Sequence, residues 1–223
     1  MFELNHVQKR YSSRGREVAA LQDINLKIDS GEYIALVGAS GSGKTTLLSI
    51  LGGMLAPTAG NVAVEGQSLY QLTVGERARI RRKKFGFVFQ TFNLVPYLTA
   101  LENVQSAMML NDFPATQQQA RATELLAQFG LEDRLDHRPA ELSVGQQQRV
   151  ALARTLANDP RVILADEPTG NLDPQTRDVV LAFFDGFHAE GRTIVVVTHD
   201  PTVAGRAQRR LEMADGKLAR HPQ

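Results

Sequence analysis

A run of five apolar residues, Tyr33-Ile34-Ala35-Leu36-Val37, feeds directly into Gly38-Ala39-Ser40-Gly41-Ser42-Gly43-Lys44-Thr45. The second segment fits Gly-x-x-x-x-Gly-Lys-Ser/Thr, a loop that joins a strand to a helix and cradles phosphates. Its glycines let the backbone approach an anion closely and turn N–H groups inward. The helix starting near Gly43 adds its positive end. Lys44 is expected to bridge the β- and γ-phosphates of a nucleoside triphosphate, and the Thr45 hydroxyl to ligate Mg²⁺. Thr46 completes the segment, so residues Gly38 to Thr46 together form the expected phosphate site. A chain with this loop must place a strand end against a helix start, which points to an α/β fold.

Three further apolar runs end on polar residues in the same way. Phe85-Gly86-Phe87-Val88-Phe89 ends at Gln90, Val162-Ile163-Leu164-Ala165 at Asp166, and Thr193-Ile194-Val195-Val196-Val197-Thr198 at His199. Open α/β sheets bind ligands at the carboxyl ends of their strands. Asp166 is expected to hold Mg²⁺ through water, and Glu167 to polarise the attacking water as general base. Asp173 before Pro174 reads as a helix N-cap with proline in the first turn. Capping and a part in the nucleotide site are compatible roles for Asp173.

Between Gln90 and the Asp166 strand the periodicity changes. Thr116 to Phe129 reads as a helix with Ala122, Leu125, Leu126 and Phe129 on one face and Gly130 as its stop. A second helix starts near Ser143 and runs through Val150, Ala151, Leu152, Ala153 and Leu156 toward Pro160. The expectation is one domain with a mostly parallel core sheet, formed by 1–89 and 159–223, and a helical subdomain inserted at 90–158.

Composition narrows the functional classes. Among 223 residues, 25 Lys and Arg face 24 Asp and Glu, a net charge of +1, so no global field favours nucleic acid. Cysteine is absent, which excludes disulfides and thiolate metal sites. No apolar run approaches the roughly 20 residues that span a bilayer, and the start Met1-Phe2-Glu3-Leu4-Asn5 lacks the pattern of a signal peptide. Arg79, Arg81, Arg82, Lys83 and Lys84 crowd together. They read as a solvated helix face before a buried strand, with contact to lipid headgroups or a partner as the alternative.

Leu142-Ser143-Val144-Gly145-Gln146 is the rarest segment of the chain. Taken with the phosphate loop and Asp166-Glu167, it resembles the signature of ATP-binding cassette (ABC) ATPases, normally Leu-Ser-Gly-Gly-Gln, and the resemblance covers essentially the whole chain. It implies ATP and Mg²⁺ as ligands. It implies that His199 contacts the γ-phosphate and orients the water and Glu167, that Gln90 touches Mg²⁺ and the water while linking the site to a membrane partner, and that Tyr11 stacks on adenine. It also implies that Ser143, Gly145 and Gln146 serve the ATP of a second copy, so that two chains sandwich two ATPs head to tail.

Phe89-Gln90-Thr91-Phe92-Asn93-Leu94-Val95-Pro96, Leu98-Thr99-Ala100-Leu101-Glu102-Asn103-Val104 and Asp166 to Asp173 are similar to the group serving lipoprotein release, macrolide-type export and cell-division signalling (LolD-, MacB- and FtsE-like). That likeness implies an integral membrane permease with few spans and a large extracytoplasmic domain, and a peripheral place on the cytoplasmic face of the inner membrane. Phe92, Leu94, Val95, Pro96 and Tyr97 are expected to form part of the docking surface, with burial inside the helical subdomain as the alternative. Two alternatives stand beside this reading: an envelope signalling module that transports nothing, and a soluble ABC ATPase acting on nucleic acid. Val144 departs from the signature's glycine. A β-branched residue adopts positive φ only at a cost, so its side chain is expected to point away from the phosphate contacts.

Overall fold

The computed structural model describes residues 1–13, 16–111 and 113–219. In chain order the elements are β1 (Phe2–Ser13), β2 (Arg16–Ile28), β3 (Tyr33–Val37), α1 (Lys44–Leu51), β4 (Ala59–Val64), β5 (Gln67–Ser68), α2 (Val74–Lys84), β6 (Phe85–Phe89), α3 (Ala100–Ser106), α4 (Ala115–Gln128), α5 (Val144–Leu156), β7 (Val162–Asp166), α6 (Pro174–Ala189), β8 (Thr193–Val197), α7 (Pro201–Ala204), β9 (Arg209–Ala214) and β10 (Lys217–Leu218). Short 3₁₀ turns occupy Met109–Asn111 and Pro139–Glu141.

Two sheets organise these elements. The larger has the order β10-β9-β3-β8-β7-β6, with every pair parallel except β9 and β10. The smaller, β2-β1-β4-β5, is antiparallel throughout.

The apolar runs become strands of a parallel sheet covered on both faces, β3, β7 and β8 inside it and β6 at one edge. Successive side chains alternate between the faces. Tyr33, Ala35, Ile163, Ala165, Ile194 and Val196 pack into a core shared with α3, α4, α5 and α6. Ile34, Leu36, Val162, Leu164, Val195 and Val197 face a second core, built with α1 and the antiparallel sheet. Between β6 and β7 the described residues form helices and turns only, and their buried side chains, such as Val104, Leu125 and Leu152, join the first core.

Caps set the helix starts. Thr73, Thr99 and Ser143 each close a capping box, with Glu76, Glu102 and Gln146 respectively. Asp173 and Asp200 cap α6 and α7, each followed by a first-turn proline. The basic cluster lies on α2, with Arg79 and Lys83 exposed and Arg81, Arg82 and Lys84 half-buried. Arg81 Nη1 donates to the Gly53 carbonyl at 2.9 Å, and Lys84 pairs with Glu65.

Candidate active site

The strand order brings the ends of β3, β8, β7 and β6 side by side. Across them lies a cleft of about 500 Å³ lined by Gly38, Ser40, Gly41, Gly43, Lys44, Thr45, Thr46, Gln90, Asp166, Glu167 and His199, together with Ala20 and Val197. Residues from Ala20 to His199 thus line one cleft.

Two glycines of the loop are dictated by sterics. At Gly38, φ is 146° and a Cβ would sit 2.1 Å from the Met213 carbonyl oxygen. At Gly43, φ is 103° and a Cβ would sit 2.4 Å from the Ala20 carbonyl oxygen. Only glycine fits both the dihedral and the space. α1 then begins without a side-chain cap, so the N–H groups of its first turn face the loop's concavity. Lys44, 8% exposed, folds back over the loop, its Nζ donating to the carbonyls of Gly38 and Ala39 at 2.8 Å each. Ser42 is buried beneath it, and Ala39 contributes backbone rather than cleft lining.

On the opposite wall Thr45 Oγ1 donates to Asp166 Oδ1 at 3.2 Å. Burial raises the Asp166 carboxyl above the ordinary carboxylate range. The Thr45 hydrogen bond opposes that rise, neighbouring Glu167 adds to it, and Lys44 opposes it. The two oxygens form a hard-donor pair suited to Mg²⁺, which keeps several waters and takes one or two carboxylates plus substrate phosphates. No group of three or more His, Cys, Asp or Glu residues that could hold a metal occurs among the described residues.

Glu167 sits at φ 45°, a left-handed conformation of a kind that costs of order 1–3 kcal/mol and gathers at functional sites. Its N–H donates to the Val197 carbonyl at 2.9 Å, which fixes the turn. His199 Nδ1 lies 2.9 Å from Glu167 Oε1. Gln90 is exposed at the end of β6, and its carbonyl accepts from Asn171 Nδ2 at 2.9 Å.

Other expected residues lie elsewhere. Tyr11 does not line the cleft. It stands 42% exposed on β1, paired across the ladder with Val18, and Lys9 Nζ is 5.2 Å from its ring centre. Ala20, on the same strand as Val18, is what reaches the cleft. Ser143, Gly145 and Gln146 are also outside it. Ser143 Oγ and Gln146 Oε1 are engaged with each other's backbone N–H groups, at 3.2 and 2.9 Å. A Cβ on Gly145 would meet Thr176 Cγ2 at 2.7 Å, so close packing of α5 on α6 requires that glycine. Asp173 accepts from the N–H groups of Gln175 and Thr176 and from Thr176 Oγ1, bonds that hold its carboxyl below the usual range. Val144 is the first residue of α5, with right-handed backbone and a 48% exposed side chain that points to solvent.

The expected apolar docking cluster divides. Phe92 is 9% exposed and Leu94 packs partly against the core, whereas Val95 and Tyr97 are 39% and 82% exposed and Pro96 is exposed as well. Phe92 is therefore a core residue and only the remainder is surface. Three connections carried no sequence signal: Asn171 to the Gln90 carbonyl, buried Gln148 Nε2 to the Pro168 carbonyl at 2.6 Å, and Arg154 to the carbonyls of Phe92 and Asn93. Of the donors, Asn171 and Gln148 lie in or beside segments legible in the sequence, and Arg154 does not.

Comparison with known proteins agrees with this geometry. The family description "ABC transporter" matches residues 21–170. The chain is 49% identical over 218 residues to the macrolide export ATP-binding/permease protein MacB 1/2 of Paracoccus denitrificans, covering 98% of this chain and 33% of that protein. It therefore spans about a third of the length of that relative. It is 46% identical over 218 residues to the uncharacterized ABC transporter ATP-binding protein YvrO of Bacillus subtilis, covering 98% of this chain and 95% of that one. Among solved structures, the ATP-binding cassette MJ0796, a dimer in a post-hydrolysis state bound to ADP and phosphate, superimposes with a TM-score of 0.93. That match has 41% identity and covers 100% of this chain and 98% of the other.

Proposed function

The chain belongs to the ABC transporter family, and from that premise we propose that it is the ATP-hydrolysing subunit that energises a membrane permease. The observation that carries the proposal is the convergence on one cleft of the phosphate loop, Asp166, Glu167, Gln90 and His199, with His199 and Glu167 in hydrogen-bond contact.

In this reading Lys44 and the loop N–H groups hold the β- and γ-phosphates of ATP. Lys44 exchanges its bonds to the Gly38 and Ala39 carbonyls for phosphate oxygens. Thr45, Asp166 and Gln90 would hold Mg²⁺, which when bound neutralises phosphate charge. Glu167 accepts a proton from the attacking water as the bond from water oxygen to the γ-phosphorus forms and the bond to the β-bridging oxygen breaks, leaving ADP and phosphate. An ionised Glu167 accepts the Nδ1–H of His199 on Oε1, which leaves Oε2 for the water.

The signature residues Ser143, Gly145 and Gln146 act on the ATP of a second copy. Their absence from the cleft of their own chain supports this, and so does the dimeric assembly of the MJ0796 cassette. The partner is an integral membrane permease with few spans and a large extracytoplasmic domain, and the chain works peripherally at the cytoplasmic face of the inner membrane. The likeness to MacB-named relatives supports the kind of partner.

The test is Glu167→Gln, expressed with a tag in the native cell. Phosphate release should fall by ~10²-fold or more while ATP binding persists, and a membrane protein should co-purify from the ATP-trapped form. Unchanged phosphate release would remove Glu167 from its role. A soluble nucleoprotein partner, with nothing from the membrane, would overturn the assignment.

A further inference from the structure

The chain leaves β6 through Gln90 and then turns through two consecutive non-glycine residues in the left-handed region, Phe92 at φ 59° and Asn93 at φ 50°. Adjacent side chains rarely hold such dihedrals unless their surroundings impose them. The Phe92 ring is buried, and Thr91 Oγ1 lies 2.9 Å from Asn93 Oδ1. The strongest restraint comes from α5. Arg154 Nη2 donates to the Phe92 carbonyl and Nη1 to the Asn93 carbonyl, both at 2.6 Å. One planar guanidinium thus takes both carbonyls of the turn, a match that lysine's single ammonium centre does not reproduce.

Arg154 has no carboxylate partner among the described residues. Burial depresses its pKa, and no nearby acid compensates. A partly buried guanidinium without a counter-ion is a poor stability device, so what it holds is the better explanation of its place. The far end of the segment is anchored separately. Asn103, fully buried on α3, accepts from the Val95 N–H and donates to the carbonyls of Val95, Leu98 and Thr99. Arg154 therefore governs the Gln90 end.

We propose that Arg154 is a positioning residue for ATP hydrolysis: its two-carbonyl clamp holds the Phe92–Asn93 turn and so sets how Gln90 enters the cleft. The same helix begins at the Ser143 cap. A displacement at the signature end of α5 is thereby carried to Gln90 along one rigid element. The proposal rests on the reading of Gln90 as a residue of the hydrolytic site.

The experiment compares Arg154→Lys, Arg154→Ala, Asn93→Gly, Gln90→Ala and the doubles Arg154→Ala/Asn93→Gly and Arg154→Ala/Gln90→Ala, with MgATP turnover and ATP affinity measured separately. Both Arg154 variants should lower kcat ~10-fold or more while the ATP Kd stays within about threefold, the pattern of a lost transition-state interaction. Asn93→Gly alone should turn over normally. In the Arg154→Ala background it should restore kcat to within about threefold of wild type, because glycine adopts φ 50° without the clamp. Arg154→Ala should add nothing to Gln90→Ala, since the two act in series.

A kcat unaffected by either Arg154 substitution, with Gln90→Ala slow, overturns the positioning role alone. So does a loss that glycine does not rescue and that multiplies with Gln90→Ala. Normal turnover in Gln90→Ala would remove the Gln90 reading and this proposal with it. Should the alanine variant not fold, Arg154→Lys, which keeps the charge, carries the comparison with and without Asn93→Gly.

Discussion

His199 Nδ1 lies 2.9 Å from Glu167 Oε1 although 32 residues separate the two in sequence, because β7 and β8 are parallel neighbours that end together. The histidine side chain is 74% exposed and the glutamate 18%. With its histidine exposed to water, the pair adds little to stability. Its geometry serves the orientation of the carboxylate.

His199→Ala should therefore lower kcat by ~10²-fold with KM and Tm close to wild type, as read from phosphate release and thermal unfolding. A fall in Tm matching the fall in activity would make the contact structural.

Gly43→Ala forces a methyl toward the Ala20 carbonyl oxygen at a φ that alanine avoids. The expected cost is ~1–3 kcal/mol of stability, with ATP affinity down by ~10-fold or more because the first turn of α1 must shift. Isothermal titration with ATP, beside thermal unfolding, checks both.

Asp166 predicts a pH effect whose sign follows from its environment. Burial, its largest influence, raises the carboxyl in the folded chain above the unfolded value of 3.8. The native state then binds the proton more tightly, so this group's contribution to stability falls as pH rises from 3.8 through the raised native value. Above that window the destabilisation is fully present. Asp166→Asn should accordingly raise the Tm of the nucleotide-free protein at neutral pH, with the gain disappearing in acid, while Mg²⁺-dependent turnover falls by ~10-fold or more. A lower Tm at neutral pH would contradict the sign.

Val144 points to solvent from the first turn of a right-handed helix. Glycine at this position should cost no more than ~0.5 kcal/mol of helix stability, since valine already lies below alanine in helix propensity, and alter turnover by less than ~10-fold. Turnover above that limit in Val144→Gly would identify the valine as a brake on hydrolysis.

Tyr97, 82% exposed, is the most exposed member of the segment after Gln90 that is proposed to dock on a permease. Tyr97→Asp should change stability by no more than ~0.5 kcal/mol and leave basal hydrolysis unchanged, yet reduce co-purification of the membrane partner. Undiminished co-purification would move the docking surface elsewhere.

Much of the cleft was legible before any coordinates because β3, β6, β7 and β8 are buried on both faces. Strands in that setting are uniformly apolar and end abruptly at the site residues. The antiparallel sheet left no comparable trace. β1 and β2 mix buried Phe2, Leu4, Val7, Leu21, Ile24 and Ile28 with exposed residues, and register shifts between Leu4 and Lys9, with His6 and Asp23 at positive φ, break the two-residue rhythm. Tyr11 lies on that sheet, 42% exposed and outside the lining of the cleft. Phe92 takes the buried alternative, and its inward turn depends on left-handed dihedrals that composition does not announce. Arg154 had no local signal at all. Its role exists only through carbonyls 61 and 62 positions away.

Gly38, His199, the Asp166-Glu167 pair and Gln90 follow the ends of β3, β8, β7 and β6, four strands in lateral succession. Neighbouring strands stand about 4.7–4.9 Å apart, so the width of the working surface is a whole number of ladder steps. The backbone acts as a ruler, and side-chain identity decides only what stands at each mark. A sequence could exchange much of its surface, or lengthen the turns that follow these strands, without losing the calibration. An error of register between two central strands would instead miscalibrate every mark beyond it.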